Sequence, residues 1–223
     1  MDENMAIIKI FIFIVAFFIF NSCSNTQLEK IETIRTLYLK GKEELEFKFI
    51  SKEELEKINY PIIEIRTNDI LKQVLFLRIT KRDNFENYIS GTGQSFTKNG
   101  FLIIRTNGFH AYLLSVEQDP SSPLMKQTEL SKWPEMLKRK YTFLLSDHSS
   151  ETIEFSCFLN IKNEEKVSIY EKILNLVHVH EQCVSDKIQF SNTYWAEDNG
   201  FIWKSTQWIS LSNQVADIYV LKK

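Results

Sequence analysis

The chain has 223 residues, a formal net charge of −2 and charged side chains at 25% of its positions. No basic stripe is present, so the charge pattern excludes nucleic acid as a predicted partner. Six glycines and four prolines are few for this length, which excludes a low-complexity protein.

The first predicted element is a secretory signal. Ile10–Phe20 is an unbroken run of eleven apolar residues, and Lys9 precedes it. As a helix the run would cover roughly 16 Å, whereas the hydrocarbon layer is about 30 Å thick, so it is too short to span comfortably. Its length is typical of the apolar core of a signal peptide.

The end of this run resembles the lipobox of bacterial lipoproteins, in which a peptidase cuts before a cysteine whose sulfur carries diacylglycerol. Ser22 supplies the small residue before Cys23, while Phe20 and Asn21 depart from the usual leucine and small residue. An ordinary signal with a chance cysteine is the alternative. The resemblance implies that residues 1–22 are removed and that acyl chains, including palmitate, anchor Cys23. It also implies that residues 23–26 tether the chain to the outer membrane, facing the periplasm.

Two short helices are predicted next. Gln27–Leu39 has apolar residues at helical spacing, and Gly41 follows as a stop signal. The second helix begins at Ser51, where Ser51 and Glu54 form a capping box.

The rest of the chain reads as consecutive strands with turn signals between them, which predicts an antiparallel sheet. Asn99-Gly100 and Asn107-Gly108 favour two-residue hairpin turns. The predicted strands are Pro61–Thr67, Ile70–Thr80, Gln94–Lys98, Phe101–Thr106, Phe109–Val116, Lys140–Ser146, Glu151–Ile161, Lys172–Asp186, Gln189–Ala196, Phe201–Ile209 and Ala216–Leu221.

Glu117–Pro134 is polar and proline-containing, and it predicts a long loop with a short helical turn near Trp133–Lys138. The fold class is therefore mainly β: a large curved antiparallel sheet, a half-barrel-like meander, with two short N-terminal helices. Residues 27–223 form one predicted domain.

Cys157 and Cys183 remain as a pair once Cys23 is assigned to lipid. In an oxidising compartment they predict a disulfide. The alternative is two separately buried thiols that pack as small hydrophobic side chains.

Few residues suggest catalysis. His178 and His180 lie two apart on a predicted strand and therefore share a face, but Glu181 points the other way and no third metal ligand is close in sequence. Nucleophile and nucleotide-binding motifs are absent from the sequence. We therefore predict no metal, no cofactor and no enzymatic activity; a periplasmic hydrolase is a third, less favoured hypothesis.

Aromatic residues cluster on the hairpin that starts at Gln189. Rings at such positions stack on sugars or pack in a core. Strand alternation places neighbouring residues on opposite faces, so only part of the set can line one surface. The candidate stacking residues are Tyr194, Trp195, Trp203 and Trp208.

The stretch Cys183–Trp208 resembles the C-terminal part of the YjbF/GfcB lipoproteins, the group 4 capsule polysaccharide family. Asn192-Thr193-Tyr194-Trp195, Gly200 and Gln207 carry the resemblance, and INYPIIEIRTNDILKQVLFLRIT and KNGFLIIRTNGF extend it. It implies an outer-membrane lipoprotein that serves capsule or exopolysaccharide production or export, with polysaccharide or export proteins as partners. The alternative is a lipid or lipoprotein carrier that resembles LolA and LolB, with an apolar cavity.

Overall fold

The computed structural model describes residues 51–67, 70–109 and 112–223, with the backbone alone for residues 70–73. The predicted signal peptide, the Cys23 lipid site, the tether and the first predicted helix lie outside the described residues. Within them, one short α-helix, α1 (Lys52–Lys57), precedes twelve strands. No helix among the described residues has the length and apolar character that crossing a bilayer requires.

The helix α1 begins as the capping box predicts. Ser51 Oγ accepts a hydrogen bond from the Glu54 amide, and the Glu54 side chain accepts one from the Ser51 amide. At the other end, Lys222 Nζ donates to the carbonyls of Leu55, Glu56 and Ile58 at 3.3, 3.1 and 2.5 Å. The last strand thus holds α1 against the sheet.

Twelve strands form one antiparallel sheet in the order β5-β4-β3-β2-β1-β12-β11-β10-β9-β8-β7-β6. The first and last strands, β1 and β12, pair in its middle. The strands are β1 (Ile62–Thr67), β2 (Ile70–Arg82), β3 (Phe85–Ser90), β4 (Ser95–Asn99), β5 (Leu102–Asn107), β6 (Tyr112–Gln118), β7 (Met136–Leu144), β8 (Ser150–Ile169), β9 (Lys172–Val184), β10 (Gln189–Ala196), β11 (Ile202–Trp208) and β12 (Val215–Lys222).

The sheet curls further than the predicted half-barrel, because its two end strands meet. The Leu113 amide of β6 donates to Thr106 Oγ1 of β5 at 3.0 Å, and the Gln118 side chain donates to the Asn99 carbonyl. Strand twist accumulates across many strands and brings the edges of a large sheet together. The architecture is a nearly closed, barrel-like sheet.

One predicted hairpin is wrong. Asn99-Gly100 joins paired strands β4 and β5 as expected, but β5 and β6 flank Asn107-Gly108 as the two ends of the sheet. Gly108 has the positive φ of 77° that the sequence predicts. The turn conformation at Gly108 is therefore as predicted. The strand order, however, places β5 and β6 at the two ends of the sheet, and no hydrogen-bonded ladder joins them in the described chain.

The predicted helical turn near Trp133–Lys138 is also misplaced. A short 3₁₀ turn occupies Leu130–Lys132, and β7 begins at Met136. The long loop before it is not a solvated connection, because Leu124, Leu130 and Trp133 are buried in the main core. It covers one end of the sheet interior. Strand β3 was not predicted.

Two apolar clusters lie on opposite faces of the sheet. The larger fills the interior, where Phe190 and Trp208 stack at 4.2 Å and Tyr141 and Phe155 meet edge to face at 5.5 Å. The smaller lies on the outer face, where Leu55 of α1 and the far end of the β8–β9 hairpin pack on the sheet. This hairpin end defines one wall of the candidate site.

Candidate functional site

A groove of about 730 Å³ opens on the outer face of the sheet. Its floor comes from β1, β10, β11 and β12, and its walls come from the start of α1 and the end of the β8–β9 hairpin. Rings and charged groups dominate its lining. The residues are Ser51, Lys52, Glu53, Glu64, Arg66, Glu165, Lys166, Val167, Ser168, Tyr170, Glu171, Trp195, Lys204, Tyr219 and Leu221.

Strand register builds the floor. His178 lies opposite Trp195, Trp195 opposite Lys204, Lys204 opposite Tyr219, and Tyr219 opposite Glu64. Directly opposed side chains in an antiparallel sheet stand about 5 Å apart, close enough to contact. We call the row His178, Trp195, Lys204, Tyr219 and Glu64, together with Arg66 two residues further along β1, the outer ladder.

From Trp195 to Arg66, rings and cations alternate along the outer ladder. The rings of His178 and Trp195 stack at 5.4 Å, and Lys204 Nζ lies 4.0 Å from the centroid of Trp195. Lys204 Nζ is also 5.3 Å from the ring of Tyr219, and the guanidinium of Arg66 is 4.6 Å from it. Such cation–ring contacts contribute about 0.5–1 kcal/mol each at exposed sites.

Two carboxylates of the groove already have partners. Glu64 pairs with Arg66, and Glu165 accepts a hydrogen bond from Nε1 of Trp195. The second contact ties the β8–β9 hairpin to the floor. Partial burial raises the pKa of Tyr219, while the nearby Arg66 opposes the rise. The Tyr219 hydroxyl therefore stays protonated at neutral pH and can donate a hydrogen bond.

Only one of the four candidate aromatic residues lines the groove. Trp195 does, whereas Tyr194 and Trp208 point into the interior and are buried there. Trp203 packs in the outer cluster beside Phe201, and its Nε1 donates to Glu197 at 2.7 Å. Tyr194 and Trp208 are thus corrected from surface candidates to core residues: strand alternation turns Tyr194 inward, and Trp208, the last residue of β11, stacks on Phe190 in the interior.

The interior holds a buried ionic network around Glu181. The guanidinium of Arg139 reaches both carboxylate oxygens of Glu181, at 2.7 and 2.9 Å, and neither side chain is exposed. Asn192 and Tyr194 each donate to Glu181 at 2.8 Å. Asn192 also accepts from the Trp208 amide. Pairing compensates the high cost of removing a charge from water.

The network sets the protonation states of its members. Burial raises the pKa of Tyr194, and the Glu181 carboxylate raises it further. Burial alone would lower the pKa of Arg139, but Glu181 outweighs it and the pKa lies above the ordinary value. Arg139 is therefore a fixed cation and Tyr194 a fixed hydrogen-bond donor, which is the behaviour of a structural network.

Cys157 and Cys183 lie directly opposite each other on β8 and β9, and their sulfurs are joined at 2.01 Å. With Glu181 they are the one group of potential metal ligands that the described residues bring together. Both sulfurs are used by the disulfide and the Glu181 carboxylate is engaged by Arg139, so this group has no donor left for a metal.

The histidines do not assemble a catalytic site in the described chain. His178 stacks on Trp195, and His180 lies opposite Asn160 and Thr193. Glu181 faces the interior, as strand alternation predicts. His148 lies in a turn, and His110 is outside the described residues. Nothing in these positions favours the hydrolase hypothesis.

Comparison with known proteins decides the family. A family model described as "Group 4 capsule polysaccharide lipoprotein gfcB, YjbF" matches residues 34–221. The chain belongs to this family. The crystal structure of the hypothetical lipoprotein YmcC from Escherichia coli (K12) has a similar fold, with a TM-score of 0.64 at 16% identity over 77% of this chain and 88% of that one. Curated proteins give no match.

Sequence reasoning missed most of the groove in this YjbF family member. Arg66, Glu165, Lys204 and Tyr219 come from β1, β8, β11 and β12, of which β11 and β12 alone are consecutive in the chain. The usable signal was that Trp195, Lys204 and Tyr219 occupy outward positions of neighbouring strands. A register alignment of β10, β11 and β12 would have placed these residues side by side.

Proposed function

We propose that this protein is an outer-membrane lipoprotein anchored through Cys23, facing the periplasm, and a non-enzymatic accessory of capsule or exopolysaccharide production or export. Membership of the YjbF/GfcB family supports the process. We further propose that it binds glycan in the groove. The observation that carries this proposal is a groove of about 730 Å³ whose floor alternates rings with cations.

The geometry favours one mode of sugar binding. His178 and Lys204 come from the strands on either side of β10, so both faces of the Trp195 ring have neighbours. Arg66 and Lys204 flank Tyr219 in the same way. A sugar therefore meets ring edges and charged groups, and its hydroxyls exchange hydrogen bonds with carboxylates, ammonium groups and the Tyr219 hydroxyl.

The carrier alternative requires an apolar cavity inside the sheet. In the described chain that space is filled by contacting rings, including Tyr141, Phe155, Phe190 and Trp208. An acyl chain would have to displace them, at a cost of several kcal/mol for each large core side chain. The packing therefore favours glycan binding over lipid transport.

The direct test is calorimetric titration of the full chain in neutral detergent with surface polysaccharide from its native host. Tyr219→Ala should weaken binding about tenfold or more, because it removes the central ring of the floor. Phe158→Ala is the matched control, since Phe158 is an exposed aromatic residue of the outer face outside the groove. Equal weakening by both variants, or no binding by the wild type, would contradict the proposal.

Two measurements test the proposed lipid anchor and the proposed role in polysaccharide production or export. The mature chain from the native host should begin at Cys23 and carry acyl mass; an intact leader would refute the anchor. Deleting the gene should reduce the surface polysaccharide or alter its chain length, and normal values for both would contradict the role in the pathway.

A further inference from the structure

Lys204 occupies the centre of the groove floor. Its strand neighbours in register are Trp195 and Tyr219, and its ammonium lies 4.0 and 5.3 Å from their ring centroids. The aliphatic stem of a lysine packs along such rings while the ammonium group remains at the polar end. The charge therefore has a fixed place between two rings.

No salt bridge of the described chain includes Lys204. Glu64 is paired with Arg66, Glu165 accepts a hydrogen bond from Trp195, and Asp217 accepts one from Thr206. Ring faces attract an ammonium group but accept none of its three hydrogen bonds as strongly as a carboxylate does. Lys204 thus presents an ammonium group that contacts two rings and forms no salt bridge in the described chain.

A second lysine of the same protein shows the complete arrangement. Lys98 Nζ lies 5.3 Å from the ring of Tyr88 and 5.9 Å from that of Phe101, and it also has a carboxylate partner, Glu86, at 3.4 Å. Both lysines contact two rings, but Lys98 is buried and Lys204 is half-buried, so removal from water makes a carboxylate partner more necessary at Lys98. The protein supplies that carboxylate at Lys98, whereas no salt bridge of the described chain includes Lys204.

We infer that the groove selects an acidic glycan and that Lys204 receives a carboxylate of that glycan. This inference rests on the proposed glycan-binding function and adds the chemical class of the ligand. Lys52 and Lys166 line the groove together with Glu53 and Glu171, so the charges of these four residues offset one another. The ammonium group of Lys204 on the floor is therefore the charge that we assign to the sugar carboxylate.

The test compares one polysaccharide in two forms. Surface polysaccharide of the native host is titrated into the full chain before and after reduction of its carboxyl groups to alcohols. Lys204→Gln should weaken binding of the native form about three- to tenfold more than it weakens binding of the reduced form. Lys204→Arg should retain most of the affinity for the native form.

Lys126→Gln is the control, because Lys126 is an exposed lysine of the loop at the end of the sheet and does not line the groove. Its affinity for both forms should equal that of the wild type. Raising the salt concentration should weaken binding of the native form alone.

The outcomes separate this inference from the function on which it rests. Equal affinity for the native and reduced forms would overturn the acidic ligand and leave glycan binding intact. The same holds if the polysaccharide carries no carboxylate and still binds, or if Lys204→Gln weakens both forms equally. Failure of both forms to bind the wild type would overturn glycan binding together with the inference.

Discussion

Strand β10 separates two polar regions with opposite properties. Asn192 and Tyr194 face inward and join the network of Glu181 and Arg139, where the charges are buried and paired. Thr193 and Trp195 face outward, and Trp195 joins the outer ladder. One strand therefore contributes alternate residues to a closed network and to an open groove.

The difference lies in what each region leaves for a ligand. The Glu181 carboxylate receives three side-chain donors from within the chain. In the groove, by contrast, Lys204 is held by rings. A closed network stabilises one arrangement, whereas a charge without an anion is available for recognition. Stability and binding are thus separable, and substitutions on the two faces should affect different measurements.

The largest effect should come from breaking the inner network. Arg139→Met leaves the Glu181 carboxylate buried without its cation, and we expect a loss of about 3–5 kcal/mol in the free energy of unfolding. Urea unfolding of the variant measures it. The double variant Arg139→Met/Glu181→Leu should recover most of the loss, because both charges are then absent. A loss below about 1 kcal/mol in the single variant would show that the folded protein does not depend on the Arg139–Glu181 pair for its stability.

The disulfide should have the next largest effect. Replacing Cys157 and Cys183 together by alanine should lower the unfolding free energy by about 2–4 kcal/mol, because the unfolded chain regains the freedom of the closed loop. Alkylation of the unfolded, unreduced native protein should modify neither cysteine. Labelling of both residues without reductant would refute the bond.

Gly200 tests the packing of the loop Glu117–Pro134, because Thr128 of that loop lies against Gly200. Its φ is +82°, and an added Cβ would lie 1.9 Å from the Thr128 carbonyl oxygen. Gly200→Ala should therefore cost about 3 kcal/mol, from backbone strain and displacement of the loop. Gly93→Ala is the matched control, with φ of +86° and no atom within 4 Å of the added Cβ. Gly93→Ala should lower the free energy of unfolding by about 1 kcal/mol, from backbone strain alone. Equal losses in the two variants would show that the loop is not packed against Gly200.

The smallest effect on stability should come from the outer ladder. Lys204→Gln removes two cation–ring contacts at a partly exposed site, so the unfolding free energy should change by less than about 1 kcal/mol. Thermal and urea unfolding measure the change. A loss as large as that of Arg139→Met would show that the ladder is a structural feature and would remove the contrast between the two faces.

Local signals in the sequence predicted much of the fold. The capping box at Ser51 begins α1, and Asn99-Gly100 forms its hairpin. Strand alternation correctly separated Tyr194 from Trp195. These features depend on residues close in sequence, where turn and strand periodicities apply directly.

The missing information was the pairing of distant strands. Asn107-Gly108 has the same turn signal as Asn99-Gly100, but β5 and β6 became the two ends of the sheet. Arg139 offered one overlooked clue. It occupies an inward position between Leu137 and Tyr141 on β7, and an arginine on an apolar face requires a buried anion. The sequence could not identify that anion as Glu181, because the register of β7, β8 and β9 determines which inward residues face each other.

The meeting of the two end strands has a consequence for crowded surroundings. Gln207 of β11 reaches across the interior and bonds both the Ile103 amide and the Phe101 carbonyl, at 2.8 and 2.9 Å. These main-chain groups of the sheet margin are therefore occupied by an amide side chain that imitates a neighbouring strand. Exposed sheet margins recruit other chains into aggregates. Here one glutamine makes part of that margin unavailable for pairing with another chain.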